Sequence, residues 1–105
     1  MISEITLSSG DKFTMLLGYE SVKTLAKGQQ AGEDEMTLVE NVALSAFNTW
    51  EKRNQLPQTS RDQMVEWFDD FGVFFQVKDA VEAFSVNFSQ KVSELTTQKT
   101  GKKKV

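Results

Sequence analysis

The stretch Val73-Phe-Phe-Gln-Val-Lys-Asp-Ala-Val-Glu-Ala-Phe-Ser-Val-Asn-Phe-Ser-Gln-Lys-Val-Ser-Glu-Leu95 decides the fold. Val73, Val77, Val81, Phe84, Phe88, Val92 and Leu95 recur at steps of four and three residues, a spacing that makes one stripe only on a helix. Phe84, Val86 and Phe88 also alternate as they would on a strand, but length decides for helix. At about 1.5 Å of rise per residue the segment spans roughly 33 Å, the width of a small domain. The rest of the chain is expected to pack around it, with Phe84 central to the core. Phe74 and Ala80 widen the stripe, while Gln76, Lys78, Asp79, Glu82 and Gln90 turn to water.

Upstream, Ser60 followed by Gln63 carries the signature of a helix start and predicts a helix through Asp70, ended by Gly72. Met64, Phe68 and Phe71 face one way on it, with Val65 and Trp67 beside them. Pro57 breaks the chain before this helix. Val39, Val42, Ala43, Ala46, Phe47 and Trp50 form another stripe, and Leu38 and Leu44 stray from it, which implies burial on more than one side. Thr37 followed by Glu40 reads as the capping box of that helix, and Glu33, Asp34 and Glu35 suit the positive end of its dipole. The polar run from Gly28 to Glu35 reads as a loop. Before it, Tyr19, Val22, Leu25 and Ala26 predict a short helix that Gly28 stops.

At the start of the chain Ile2, Ile5 and Leu7 lead into the turn chemistry of Ser8-Ser9-Gly10-Asp11, after which Phe13, Met15 and Leu17 alternate with other residues. This pattern predicts a β-hairpin, which is marginal alone, so its apolar face must lie on something, and the long helix is the obvious candidate. Beyond Leu95 no periodicity remains, so residues 96–105 are expected to be a disordered basic tail. The expected architecture is α+β and mostly α-helical: one domain over residues 1–95, with an N-terminal β-hairpin packed on a bundle of about four helices.

The 105 residues, 39% hydrophobic and 26% charged, suit a single-core globular domain. Without cysteine there is no disulfide or thiolate chemistry, and without histidine the usual general base and transition-metal ligand are missing. The serines have no histidine partner, and Gly101-Lys102 follows no phosphate-binding loop. A non-enzyme with no catalytic residue, cofactor or metal is therefore expected. No apolar run reaches the length of a membrane span, and Met1 to Leu7 lacks the pattern of a secretory signal, which points to an intracellular protein. The formal net charge is −3, and removing the four positive charges of Lys99, Lys102, Lys103 and Lys104 leaves about −7 for the rest. A body so acidic disfavours nucleic acid as a partner.

Asp62, Glu66 and Asp70 stand four residues apart, and with Asp69 they gather along one side of a helix. A solvated face is the plain reading, and a docking site for a basic partner is the functional one. Calcium sites draw many oxygens from a looped backbone, and no Asp-x-Asp-x-Asp-Gly run exists here. The aromatic run Phe68, Phe71, Phe74 and Phe75, with Trp50 and Trp67, reads as a core junction and not as a base-stacking platform. Phe75 and Val86 project opposite the main stripe. Either neighbouring helices cover them, or they form a sticky patch for a partner helix or for another copy of this chain.

The order of elements, with Ile-Thr-Leu-Ser-Ser-Gly-Asp-Lys-Phe at the hairpin, Gly18-Tyr19 entering the first helix, Ser60 through Asp70, and Val77-Lys78-Asp79-Ala80-Val81-Glu82-Ala83-Phe84, resembles the tail assembly chaperones of long-tailed (siphovirus-type) bacteriophages. The likeness runs through most of Ile2 to Phe88. It implies a protein of the infected bacterial host's cytoplasm that binds the tape-measure protein, helps tail-tube protein assemble and is absent from the virion. Such chaperones are often also made in a longer, frameshifted form. Consecutive lysines can be written as a slippery run of adenines, so a longer product sharing residues through about Lys104 is a further expectation. The alternative is a small acidic adaptor or inhibitor that occupies a basic site on a host protein through Asp62, Glu66, Asp69 and Asp70.

Overall fold

The computed structural model describes residues 1–104, with side chains through Leu95. Two antiparallel strands, β1 (Ile2–Thr6) and β2 (Lys12–Leu16), precede four helices: α1 (Tyr19–Gln30), α2 (Glu35–Arg53), α3 (Arg61–Phe68) and α4 (Phe71–Lys104). The fold is α+β and mostly helical.

The hairpin forms where turn chemistry predicted it. Gly10 adopts φ +93°, and the turn closes through the Leu7 amide on the Asp11 carbonyl at 2.8 Å and the Gly10 amide on the Leu7 carbonyl at 2.9 Å. Ile5 pairs with Phe13 and Ser3 with Met15, so Ile5, Met15 and Leu17 are fully buried while Leu7 and Phe13 pack on the core margin. Ile2, expected with them, is 62% exposed, because it stands an odd number of residues from Ile5 and the pleat sends it to the other face.

The centre of the fold is α2 and not the long helix. It touches α1, β2, α3 and α4, and Val39, Val42, Ala43, Ala46 and Phe47 are buried along it. Alanines at the crossings let neighbours approach closely, and Leu38 and Leu44 serve the flanks, so burial on several sides follows from the width of the stripe. This helix begins earlier than the Thr37–Glu40 pattern suggested. Asp34 is its N-cap, accepting a 2.7 Å hydrogen bond from the Thr37 amide, and aspartate is a better cap than threonine. Hydrogen bonding from Thr37, its side chain foremost and its amide second, holds the Asp34 carboxyl below the usual aspartate range. A depressed folded-state pKa makes the cap's contribution complete above the ordinary aspartate pKa and lost as pH falls through the folded value. Asp34→Asn keeps the acceptor without the titration, so thermal melts below about pH 4 should show a smaller acid loss than wild type; equal losses would remove Asp34 as the source.

Gly28 does not stop the first helix. It lies buried inside α1, where a Cβ would meet the Leu38 side chain below any normal contact distance and the Glu33 carboxylate at 2.9 Å. The helix continues to Gln30 and the turn follows at Gly32, φ +71°. The buried face of α1 is Ser21, Leu25 and Gly28, whereas Tyr19 is 75% exposed. Gly28→Ala is expected to destabilise the chain by about 1–3 kcal/mol through overpacking, seen as a lower urea midpoint. An unchanged or raised midpoint would show that Leu38 yields freely.

Ser60 caps α3 as expected, its hydroxyl accepting from the Gln63 amide at 3.2 Å. The helix ends at Phe68. Gly72 opens α4 and does not close α3: Asp70 receives the Gly72 amide on its side chain at 2.9 Å and the Val73 and Phe74 amides on its carbonyl. Trp67 joins the layers, 4.2 Å from the Phe13 ring and edge-on to Phe47 at 5.7 Å. Between α2 and α3 the buried Glu51 accepts the Thr59 amide at 2.8 Å and its hydroxyl at 2.5 Å.

Along α4, Val73, Val77, Ala80, Val81 and Phe84 are buried. β1 lies beside this half of the helix, and the Gln76 amide donates to the Thr6 carbonyl and accepts from the Thr6 amide, both at 3.0 Å. The helical backbone runs past Leu95 to Lys104, in residues such as threonine, glutamine and lysine that tolerate helix. The side chains of 96–105, and with them the expected tail contacts, lie outside the described residues.

Candidate functional site

Helix α4 outruns the body that covers it. Thirty-four residues at about 1.5 Å each give roughly 51 Å, close to the 58 Å longest extent of the molecule, whose other extents are 29 and 21 Å. Phe84 is the last well-buried member of the stripe, at the rim of the core and not at its centre. Phe88, Val92 and Leu95 follow at 37, 46 and 62% exposure. A groove lined by Met1, Leu17, Phe84, Asn87, Phe88 and Lys91 marks the root of this overhang. The N-terminal amine of Met1 is held there on the Leu17 carbonyl at 3.0 Å.

Phe75 and Val86 are both 55% exposed, so neighbouring helices leave them open. They do not form one patch. Eleven residues of helix set them about 16 Å apart, and Asp79 and Glu82 occupy the same face between them. Lys78 donates to Glu82 at 2.7 Å and reaches Glu35 at 3.9 Å. The hydrogen bond to Glu82 raises the Lys78 pKa and lowers that of Glu82. Phe71 is 72% exposed, so of the aromatic run Phe68, Phe74 and Trp67 join the packing while Phe71 and Phe75 face out. Phe68 and Phe74 meet edge to face at 5.3 Å.

Asp62, Glu66, Asp69 and Asp70 are all exposed. Glu66 and Asp70 border a shallow cleft with Leu7, Ser8, Ser9, Gln63, Trp67 and Val73. Asp70 spends one carboxylate oxygen on the Gly72 amide, which ties it to the start of α4. Among the described residues no three acidic side chains converge as a metal site, and no helix is long and apolar enough to cross a membrane. The sequence periodicity identified the stripe but not the point where its cover ends, and the root groove depends on Met1 and Leu17, which no local pattern ties to Phe88. Comparison with protein-family models, with curated proteins and with solved structures finds no match for this chain.

Proposed function

We propose that this chain is a bacteriophage tail assembly chaperone. On this reading it binds apolar helices of a tape-measure protein in the cytoplasm of the infected host, keeps them from aggregating while tail-tube protein assembles, and leaves before the virion is complete. The observation that supports it is the overhang of α4, where Phe88, Val92 and Leu95 offer an aligned apolar face beside a groove. An amphipathic client helix docks on such a face through residues at matching helical spacing. Recognition of this kind needs apolar area and no reacting group, so the activity is non-enzymatic. The hairpin followed by helices, with the capped start at Ser60, keeps the order of elements on which the resemblance rests.

Co-expression with a tape-measure protein of a long-tailed bacteriophage tests the reading. A soluble complex that co-purifies is expected, and Phe88→Glu combined with Leu95→Glu should abolish it while the circular dichroism melt stays unchanged. A tape-measure protein that remains insoluble in the presence of this chain would refute the proposal.

A further inference from the structure

We propose that the open half of the α4 stripe is a seam for a second copy of this chain, laid antiparallel across it. The stripe repeats every eleven residues: Val73 leads to Phe84 and Leu95, Val77 to Phe88, and Val81 to Val92. Eleven residues make just over three whole turns, so the row stays nearly straight along the helix. The face covered by the chain's own elements from Val73 to Val81 therefore continues in line through Phe88, Val92 and Leu95. Met1 and Leu17 border Phe88 at the root groove, and past it Val92 and Leu95 are the most open members of the stripe.

Charge selects the occupant. Between Ala83 and Leu95 only Lys91 and Glu94 are charged. They stand three residues apart on one flank of the stripe, and neither forms an ion pair among the described residues. A twofold axis close to Val92 places Phe88 of one copy on Leu95 of the other, Val92 on Val92, and Lys91 within reach of Glu94 at two symmetric places. Parallel pairing would set this flank against Ser85 and Ser89 and leave both charges unmatched. Two bodies of net charge about −7 repel each other. Antiparallel packing sends them to opposite ends of the pair and brings the lysine-rich end of each chain toward the acidic body of the other. A second copy thus satisfies the neutral stripe and both of its charges. The seam is short, so the dimer is weak and reversible.

Sedimentation equilibrium of the full chain from about 1 µM to about 1 mM spans the relevant affinities. A reversible dimer is expected. Val92→Glu should raise its dissociation constant at least about tenfold with an unchanged melt, because Val92 is already half-exposed. Lys91→Glu should also weaken it, and Lys91→Glu combined with Glu94→Lys should restore it. A monomer throughout, a dimer indifferent to Val92→Glu, an exchanged pair no stronger than the single variant, or unfolding by Val92→Glu would each overturn the seam. The second copy occupies the residues on which the client reading rests, Phe88, Val92 and Leu95, so a bound client helix displaces it; a chain that dimerises but binds no tape-measure protein keeps the seam and loses the client reading.

Discussion

Phe47→Ala should cost about 3–5 kcal/mol, the largest loss from any single truncation in this chain. Phe47 is fully buried on α2, the helix that touches α1, β2, α3 and α4, and its ring meets the edge of Trp67. Truncation removes the transfer free energy of the ring and leaves a cavity that four surrounding elements cannot all close at once. A domain of this size has a total stability of about 5–15 kcal/mol, so the variant should be partly unfolded at moderate temperature. Urea denaturation with an unchanged slope and a much lower midpoint is the expected result. Phe75→Ala provides the contrast, since a ring 55% exposed gives up little on truncation. Equal midpoints for the two variants would mean that α2 is not the hub.

The second large effect is at Glu51, a carboxylate only 6% exposed. It accepts both the amide and the hydroxyl of Thr59, and the Asn48 amide, turned to satisfy its neighbours, donates to Glu51 at 3.1 Å and to the Thr59 carbonyl at 3.0 Å. Glu51→Ala leaves the buried Thr59 amide without a partner and frees the 54–60 segment that leads into α3. Hydrogen bonds to charged groups contribute about 1.5–3 kcal/mol each, and they are not additive here, so a loss of about 3 kcal/mol is expected. Glu51→Gln retains one acceptor oxygen and should lose roughly half as much. A urea midpoint for Glu51→Ala within error of wild type would show that Thr59 finds water instead.

What could be read from the residues was whatever repeats locally. The apolar periods of α2 and α4, the turn at Ser8 to Asp11 and the cap at Ser60 each leave a signature within a few residues. The readings that failed involve competition or distance. Asp34 outcompetes Thr37 for the start of α2, a choice between two adequate caps. Gly28 looked like a stop because its role is steric and its neighbour Leu38 lies on another helix. Ser21, buried on the inner face of α1, has the composition of an outer face. Glu51 carries no local signal of its burial, since its partner Thr59 follows a loop that periodicity cannot trace. For the candidate site, the outward direction of Phe75 and Val86 followed from helical angle alone. Their separation by Lys78, Asp79 and Glu82 was equally readable, and it removes the single patch. The uncovered run of Phe88, Val92 and Leu95 was not readable, because a repeat says which way a face points and nothing about how far the cover extends.

Gln76, expected only to reach water, decides how the sheet meets the outside world. Met1 and Leu7 bond to Leu17 and Asp11, so by alternation Ile2, Glu4 and Thr6 turn their backbone groups away from β2. Such a rim is a template on which a foreign strand can grow. At Thr6 the side-chain amide of Gln76 fills both positions a neighbouring strand would use, and at Glu4 a charge, 3.5 Å from Lys12, guards the next one. Sheet extension is thereby discouraged at two of the three outward positions. The exposed stretch of α4 thus shares the molecule with a sheet rim that is open to a foreign strand only at Ile2.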